Sequence, residues 1–251
     1  MSGHSHWATI KHKKGASDAK RGQLFTKLAR EVSVAARAGG ENPDMNVRLR
    51  LAVQKAKDNN MPVDNIDRAI KRGVGEGEAG ALEEALYEGY GPGGVAIMLQ
   101  ALTDNRQRTV SNVRASFNKA GGNLGETGCV SWNFESKGVI TAEVDQNDND
   151  EEEITLAVID AGADDFKLEG SYLEVYAEPD KLEDLRLALE YLRVTVTSAE
   201  MSMVPINTVS VQDKVANQTL KLLDQLEELD DIQKVYTNAD FATEFLEQFN
   251  G

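Results

Sequence analysis

Residues 81–122, ALEEALYEGYGPGGVAIMLQALTDNRQRTVSNVRASFNKAGG, decide how the chain divides. Ala85 to Tyr90 and Val95 to Leu102 read as strands, and Gly91-Pro-Gly-Gly94 between them is a hairpin signal. Asn105 can then cap a helix through Lys119, with Val110, Val113 and Phe117 on one face and Gly121-Gly122 as its stop. The segment reads β-β-α, too little to stand alone. The tail supplies a counterpart: a strand from Thr208 to Gln212, a helix carrying Val215, Leu222, Leu223, Leu226 and Leu229, and a strand from Ile232 to Thr237. Joined, the two pieces make one α/β layer pair. This predicts a discontinuous middle domain, 81–125 plus 207–251, with residues 126–206 inserted into it.

The insert reads β-β-α-β-β-α-β. Strands Cys129 to Phe134 and Val139 to Ala142 flank a Ser136-Lys-Gly138 turn, and a helix follows with Ile154, Leu156, Ala157 and Ile159. Phe166 to Ala177 is strand-like with a break at Gly170-Ser171. Asp180 then caps a helix carrying Leu182, Leu185, Leu189 and Leu192, and Val194 to Met203 is a strand. Residues 1–75 read differently. Ser17 caps a helix with Leu24, Phe25, Leu28, Val32 and Ala36 on one face, ended by Gly39-Gly40. Asn42-Pro43 opens a second helix, and a third runs from beyond Pro62 to Gly73. The predicted fold class is α+β: an N-terminal helical bundle followed by two ferredoxin-like α/β domains, one inserted in the other. Gly73 to Gly80 is the linker behind the bundle.

Charge follows the same division. The chain of 251 residues carries a formal net charge of -15, yet residues 1–75 hold 15 Lys and Arg against 7 Asp and Glu. Residues 126–206 hold 5 against 20. A basic front suits a polyanion, or it is a lopsided solvated surface. The longest nearly apolar run, Val95 to Leu102, is too short to span a bilayer, and no membrane partner is expected. The polar, basic N-terminus lacks the apolar stretch of a secretory signal. Cys129 is the single cysteine, so a cytoplasmic location is expected. No strong dimerisation stripe is visible, and a monomer is expected.

Catalysis finds little support. His4, His6 and His12 all lie in one stretch without helical periodicity, and no GxSxG, Walker A, CxxC or HExxH motif occurs. Removal of Met1 would leave Ser2-Gly3-His4, an adventitious Cu(II) or Ni(II) chelate that a visible d–d band on copper titration would reveal. No functional metal and no cofactor are expected.

Three groups of residues are candidates for contact with nucleic acid. In the first, Lys11, His12, Lys13, Lys14, Lys20 and Arg21 flank Gly15-Ala16, and Trp7 stands before them. Cations track phosphates, while Trp7 either stacks on an unpaired base or packs on the bundle. In the second, Arg106 and Arg108 sit in the first turn behind Asn105. They form an anion site with the free backbone N–H groups, or pair with Glu88 or another strand acid. In the third, Asn65, Arg68 and Arg72 share a face of the third helix, as a DNA-reading face or a solvated one.

These residues also carry a family resemblance. Gly3-His-Ser-His-Trp-Ala8 with Ile10-Lys-His-Lys-Lys14 resembles the N-terminal signature of the YebC/PmpR family, whose mitochondrial relatives are translational activators of cytochrome c oxidase. Met61-Pro-Val-Asp-Asn-Ile66, Arg68-Ala-Ile-Lys-Arg72, Tyr87 to Gly94, Thr103-Asp-Asn-Arg106 and Asp230 to Asn238 extend it nearly end to end. The resemblance implies three domains and a cytoplasmic, non-enzymatic role in gene expression. Some members are described as DNA-binding transcriptional regulators. Others look like translation factors that help the ribosome through difficult stretches such as consecutive prolines. The favoured expectation is a ribosome-bound factor contacting rRNA or tRNA, because a basic, aromatic-bearing arm suits irregular RNA. A DNA-binding regulator is the alternative, and a protein-interaction scaffold using the acidic lobe is the third reading.

Overall fold

The computed structural model describes residues 18–75, 82–145, 150–242 and 245. Three helices come first: α1 (Asp18–Gly39), α2 (Val47–Asp58) and α3 (Val63–Gly73). Leu28, Val32, Ala35 and Ala36 of α1 bury against Leu49, Ala52 and Ala56 of α2 and Ile66 and Ala69 of α3. The small residues let α1 and α3 approach closely, and Ser33 Oγ donates to the Ala69 carbonyl at 2.7 Å across the contact. A Cβ on the buried Gly73 would run into the Ser33 carbonyl and lie 2.9 Å from Ala36 Cβ. Gly73→Ala is therefore expected to cost about 1–3 kcal/mol by overpacking, read as a lowered denaturant midpoint. An unchanged midpoint would mean that the two helices separate freely.

The second helix starts later than Asn42-Pro43 suggests. Asn46 is its cap, with Oδ1 accepting from Leu49 N at 3.0 Å and Nδ2 donating to Ala35 O and Gly40 O. Asn42 instead closes a turn, accepting from Asp44 N at 2.9 Å. Ser17, expected as the cap of α1, lies outside the described residues.

Behind the bundle, β1 (Glu83–Tyr90) and β2 (Ala96–Thr103) form the expected hairpin, and α4 (Arg106–Ala120) follows with Asn105 as its cap. Gly121 ends α4 in the left-handed conformation, at φ 81°. A short β3 (Asn123–Leu124) joins the free edge of β1. The chain then forms a second sheet from β4 (Phe134–Glu143), β5 (Asp165–Glu169), β6 (Tyr172–Ala177) and β7 (Thr195–Pro205). Helices α5 (Glu151–Asp160) and α6 (Leu182–Tyr191) connect its strands. The strand order is β5-β6-β4-β7 and every pair is antiparallel, the ferredoxin-like arrangement.

Three expectations for this region fail. Cys129 to Asn133 is not a strand but a turn with a short 3₁₀ segment at Ser131–Asn133, and Ser136-Lys-Gly138 lies inside β4 rather than in a turn. Gly138 is there because a Cβ would stand 3.1 Å from Leu182 of α6. Asp180 does not cap α6 with its side chain. It lies in a 3₁₀ turn, Pro179–Lys181, that leads into the helix.

The chain returns to the first sheet through β8 (Val209–Val211), α7 (Asp213–Glu227), β9 (Ile232–Thr237) and β10 (Ala239–Phe241). β9 pairs with β2, giving the order β3-β1-β2-β9, while β8 and β10 form a separate parallel pair. One core serves both halves: Ile97, Leu99, Val113 and Phe117 pack with Leu220, Leu222, Leu226 and Ile232. On the opposite face of this sheet, Ala96, Met98 and Tyr236 meet Val130, Phe134 and Met203. Burial on both faces explains why β2 is nearly continuous in apolar residues rather than alternating. The two chain crossings between the sheets are tied together. Asn133 Nδ2 donates to Asn207 O at 2.8 Å, and Asn133 Oδ1 accepts from Asn207 N at 3.0 Å.

Candidate nucleic-acid interface

Both halves hold cations that carboxylates engage and cations that they do not: in the bundle Arg48 pairs with Glu84 and Lys55 with Glu31, while in the α/β part Arg114, Lys119, Lys181, Arg193, Lys214 and Lys221 form no ion pair among the described residues. In the α/β part, Lys137 bridges Asp164 and Glu178, at 2.8 and 2.6 Å, and Arg186 holds Glu183 and Glu190. Lys234 pairs with Glu200 at 2.8 Å. In the bundle, Arg37, Arg50, Lys57, Lys71 and Arg72 are exposed or at the surface and form no ion pair among the described residues. Arg68 is also without a carboxylate, since its guanidinium donates to Asn65 Oδ1 and to its own helix at Asp64 O. Arg37 ends α1, and Lys71 and Arg72 end α3, so all three sit where the helix dipole favours positive charge. Arg37 and Arg72 line the same narrow crevice with Ser33, Val34, Gly73 and Leu82. The close α1–α3 crossing thus brings two helix C-termini and their cations together.

Arg106 and Arg108 stand in a different setting. Asn105 Oδ1 accepts from Arg108 N at 3.0 Å and fixes the start of α4. Arg106 Nε donates to Glu83 Oε2 at 2.8 Å and Nη2 to Glu84 O at 3.1 Å, so a strand acid other than Glu88 engages it. Arg108 Nη2 reaches Asp104 Oδ1 at 2.7 Å and both oxygens of the buried Asp231, at 3.1 and 3.0 Å. Asp231 also accepts from Arg30 Nη1 at 2.5 Å and Thr109 Oγ1 at 2.7 Å. Burial alone would raise its carboxyl, but the Thr109, Arg30 and Arg108 donors outweigh that and hold it below the usual aspartate value. Arg30 belongs to α1, and its guanidinium also caps Leu102 O and Asp230 O, at 3.0 and 2.8 Å. Arg30 and Arg108 therefore clamp the bundle to the first sheet.

Glu88, the other strand acid considered for these arginines, turns the opposite way. Its carboxylate accepts from the backbone N–H groups of Gly128, Val130 and Ser131 at 2.8, 2.9 and 2.8 Å. Burial pushes its carboxyl up, and those three donors more than reverse the shift. The Cys129 carbonyl in the same loop accepts from Tyr90 Oη at 2.8 Å and Trp132 Nε1 at 2.9 Å. Burial and the Glu88 charge push the Cys129 thiol up, which disfavours a reactive thiolate.

Of the residues singled out from the sequence, Trp7, Lys11, His12, Lys13 and Lys14 lie outside the described residues. Lys20 falls in the first turn of α1, with its side chain outside them, and Arg21 is exposed on the same helix. Arg68 and Arg72 are exposed on α3, away from the Asp231 clamp. Arg37, Arg50, Lys57 and Lys71 escaped notice in the sequence. Their signal was helix position: Arg37, Lys57 and Lys71 occupy last turns, and Arg50 lies on α2 away from Leu49, Ala52 and Ala56. No helix among the described residues is long and apolar enough to cross a membrane. Among them, no group of three or more His, Cys, Asp or Glu could hold a metal ion.

Comparison with known proteins covers almost the whole chain. Residues 5–76 match the family described as TACO1/YebC protein N-terminal domain, and residues 82–239 match TACO1/YebC second and third domain. A protein of Dehalococcoides mccartyi named a probable transcriptional regulatory protein is 56% identical over 250 residues, covering 100% of this chain and 99% of its own. One of the same name from Halothermothrix orenii is 51% identical, over 99% of this chain and 98% of its own. The crystal structure of a conserved hypothetical protein from Aquifex aeolicus is similar with a TM-score of 0.83 and 49% identity, covering 96% of this chain and 99% of that one.

Proposed function

The chain belongs to the TACO1/YebC family, and from that premise we propose that it is a non-enzymatic, nucleic-acid-binding regulator of gene expression acting as a translation factor on the ribosome. The observation that carries the reading is the excess of cations in the bundle, 15 Lys and Arg against 7 Asp and Glu over residues 1–75, with unpaired arginines brought together at its helix ends. Arg37 and Arg72 share one crevice at the ends of α1 and α3, with Lys71 in the same last turn as Arg72, and none of the three has a carboxylate partner among the described residues, in a chain whose net charge is -15. With so many acids available, unneutralised cations on one small domain favour an outside polyanion. Arg68 and the basic stretch Lys11 to Arg21 extend the footprint, and Trp7 supplies an aromatic face for an unpaired base. Arg106 and Arg108 contribute less in this scheme, since Glu83 and Asp231 already engage them. The protein acts as a monomer in the cytoplasm, needs no cofactor, and touches rRNA or tRNA.

The relatives named probable transcriptional regulatory proteins favour a second reading, a DNA-binding regulator that applies α3 to a groove. Crosslinking in growing cells, with sequencing of both RNA and DNA partners, separates the two. Enrichment of rRNA or tRNA supports the translation factor, and promoter DNA without rRNA overturns it. Charge reversal measures the footprint. Arg72→Glu and the pair Lys13→Glu/Lys14→Glu are each expected to weaken binding. Each lost contact should flatten the salt dependence by about 0.7 on single strands and about 0.9 on duplex DNA. A slope equal to that of the parent protein counts against these residues as phosphate contacts.

A further inference from the structure

We propose that the open trough between α5 and β5 is a docking site for an extended, cationic peptide segment of a partner protein. The trough encloses about 380 Å³ and is lined by Glu151, Glu152, Thr155, Leu156 and Leu168. Its floor is apolar, and Leu156 is 62% exposed although it sits mid-helix beside the buried Ile154 and Val158. Its rim is acidic. Along one side runs β5, which ends the second sheet: it pairs with β6 and, among the described residues, with no strand on its other edge. An open edge offers backbone donors and acceptors to an added strand.

Charge chooses the occupant. Residues 126–206 hold 5 Lys and Arg against 20 Asp and Glu, so two copies of this region meeting at the trough would repel, and nucleic acid would be repelled as well. A strand with alternating side chains satisfies each feature at once. Its backbone pairs with β5, its apolar side chains cover Leu156 and Leu168, and its cations reach Glu151 and Glu152. On β5 itself Asp165 and Lys167 share the face opposite Leu168, so the selection for positive charge rests on Glu151 and Glu152.

The test uses the full chain and a fluorescent peptide of alternating lysine and valine, followed by anisotropy. A lysine–glycine peptide of equal charge is the first control, and a lysine–valine peptide with N-methylated backbone is the second. The lysine–valine peptide is expected to bind about tenfold more tightly than either control. Leu156→Ser and the pair Glu151→Lys/Glu152→Lys are each expected to weaken it about tenfold, while RNA binding by the same variants holds. These positions are exposed, and circular dichroism reports whether the fold persists. Equal affinity for all three peptides would reduce the contact to charge alone and overturn the proposal, independently of how either variant folds. A concentration-dependent dimer that Leu156→Ser abolishes would make a second copy the occupant and also overturn it.

Discussion

Glu88→Ala is expected to lower the unfolding free energy by about 2–4 kcal/mol, because a buried N–H deprived of its acceptor costs about 1–3 kcal/mol and a partly buried one less. The Glu88 carboxylate is the acceptor for Gly128, Val130 and Ser131, of which the Val130 N–H is buried and the other two are partly buried. Val130 is itself fully buried in the cluster with Ala96, Met98 and Tyr236, so loosening the loop also loosens the seam between the sheets. Glu88→Gln keeps one oxygen and is expected to cost about half as much. The sign with pH follows from the depressed carboxyl. The stabilisation is present above the unfolded glutamate value and is lost as pH falls through the lower native one. Urea midpoints near neutrality and in mild acid, for parent and variant, measure both effects. A Glu88→Ala midpoint equal to the parent's would remove the carboxylate from its structural role.

The second large effect is expected from Asp231→Ala. Its carboxylate joins Arg30 of α1 to Arg108 and Thr109 of α4, and the side chain is 8% exposed. Removing it leaves Arg30, 19% exposed, facing the Leu102 and Asp230 carbonyls with its charge uncompensated. Breaking a buried pair in this way costs about 3–5 kcal/mol, and Arg108 stays nearer water, which favours about 3. Beyond stability, the variant frees the bundle from the first sheet. Faster proteolytic cleavage between residues 75 and 82 is the local readout. A cleavage rate equal to the parent's, with lowered global stability, would assign Asp231 to the sheet alone. Asp231 is held below the usual aspartate value, so this clamp too is complete above the unfolded value and weakens as pH falls through the native one.

Both groups mark where reading along the chain stops working. Gly91-Pro-Gly-Gly94 announces the hairpin and Asn105 announces α4, because those signals act within a few residues of where they are written. Cys129 to Phe134 alternates like a strand, yet Glu88, 40 to 43 residues earlier, draws the backbone donors of Val130 and Ser131, and of Gly128 just before them, inward and folds it into a turn. Asn42-Pro43 has the composition of a helix start, but Asn46 wins because its amide can also reach Ala35 and Gly40 across the loop. The candidate interface divides in the same manner. That Arg68 and Arg72 share a face was legible from helical spacing. That Arg108 serves Asp231, 123 residues away, was not. The meeting of Arg37 with Arg72 needed Gly73, whose missing side chain sets the distance between their helices.

The shared core of β2, α4, α7 and β9 has a consequence in time. During synthesis Ile97, Leu99 and Phe117 are made roughly 100–125 residues before Leu220 and Leu222 exist to cover them, a wait of about 5–25 s at common elongation rates. Throughout that wait β2 is an apolar strand with one edge bare, since its neighbour β9 is made last. The nascent chain therefore carries an adhesive half-sheet while the second sheet folds beyond it. Slowing elongation after residue 120 lengthens this exposure and favours aggregation, whereas the finished protein, with β9 in place, is indifferent to how fast it was made.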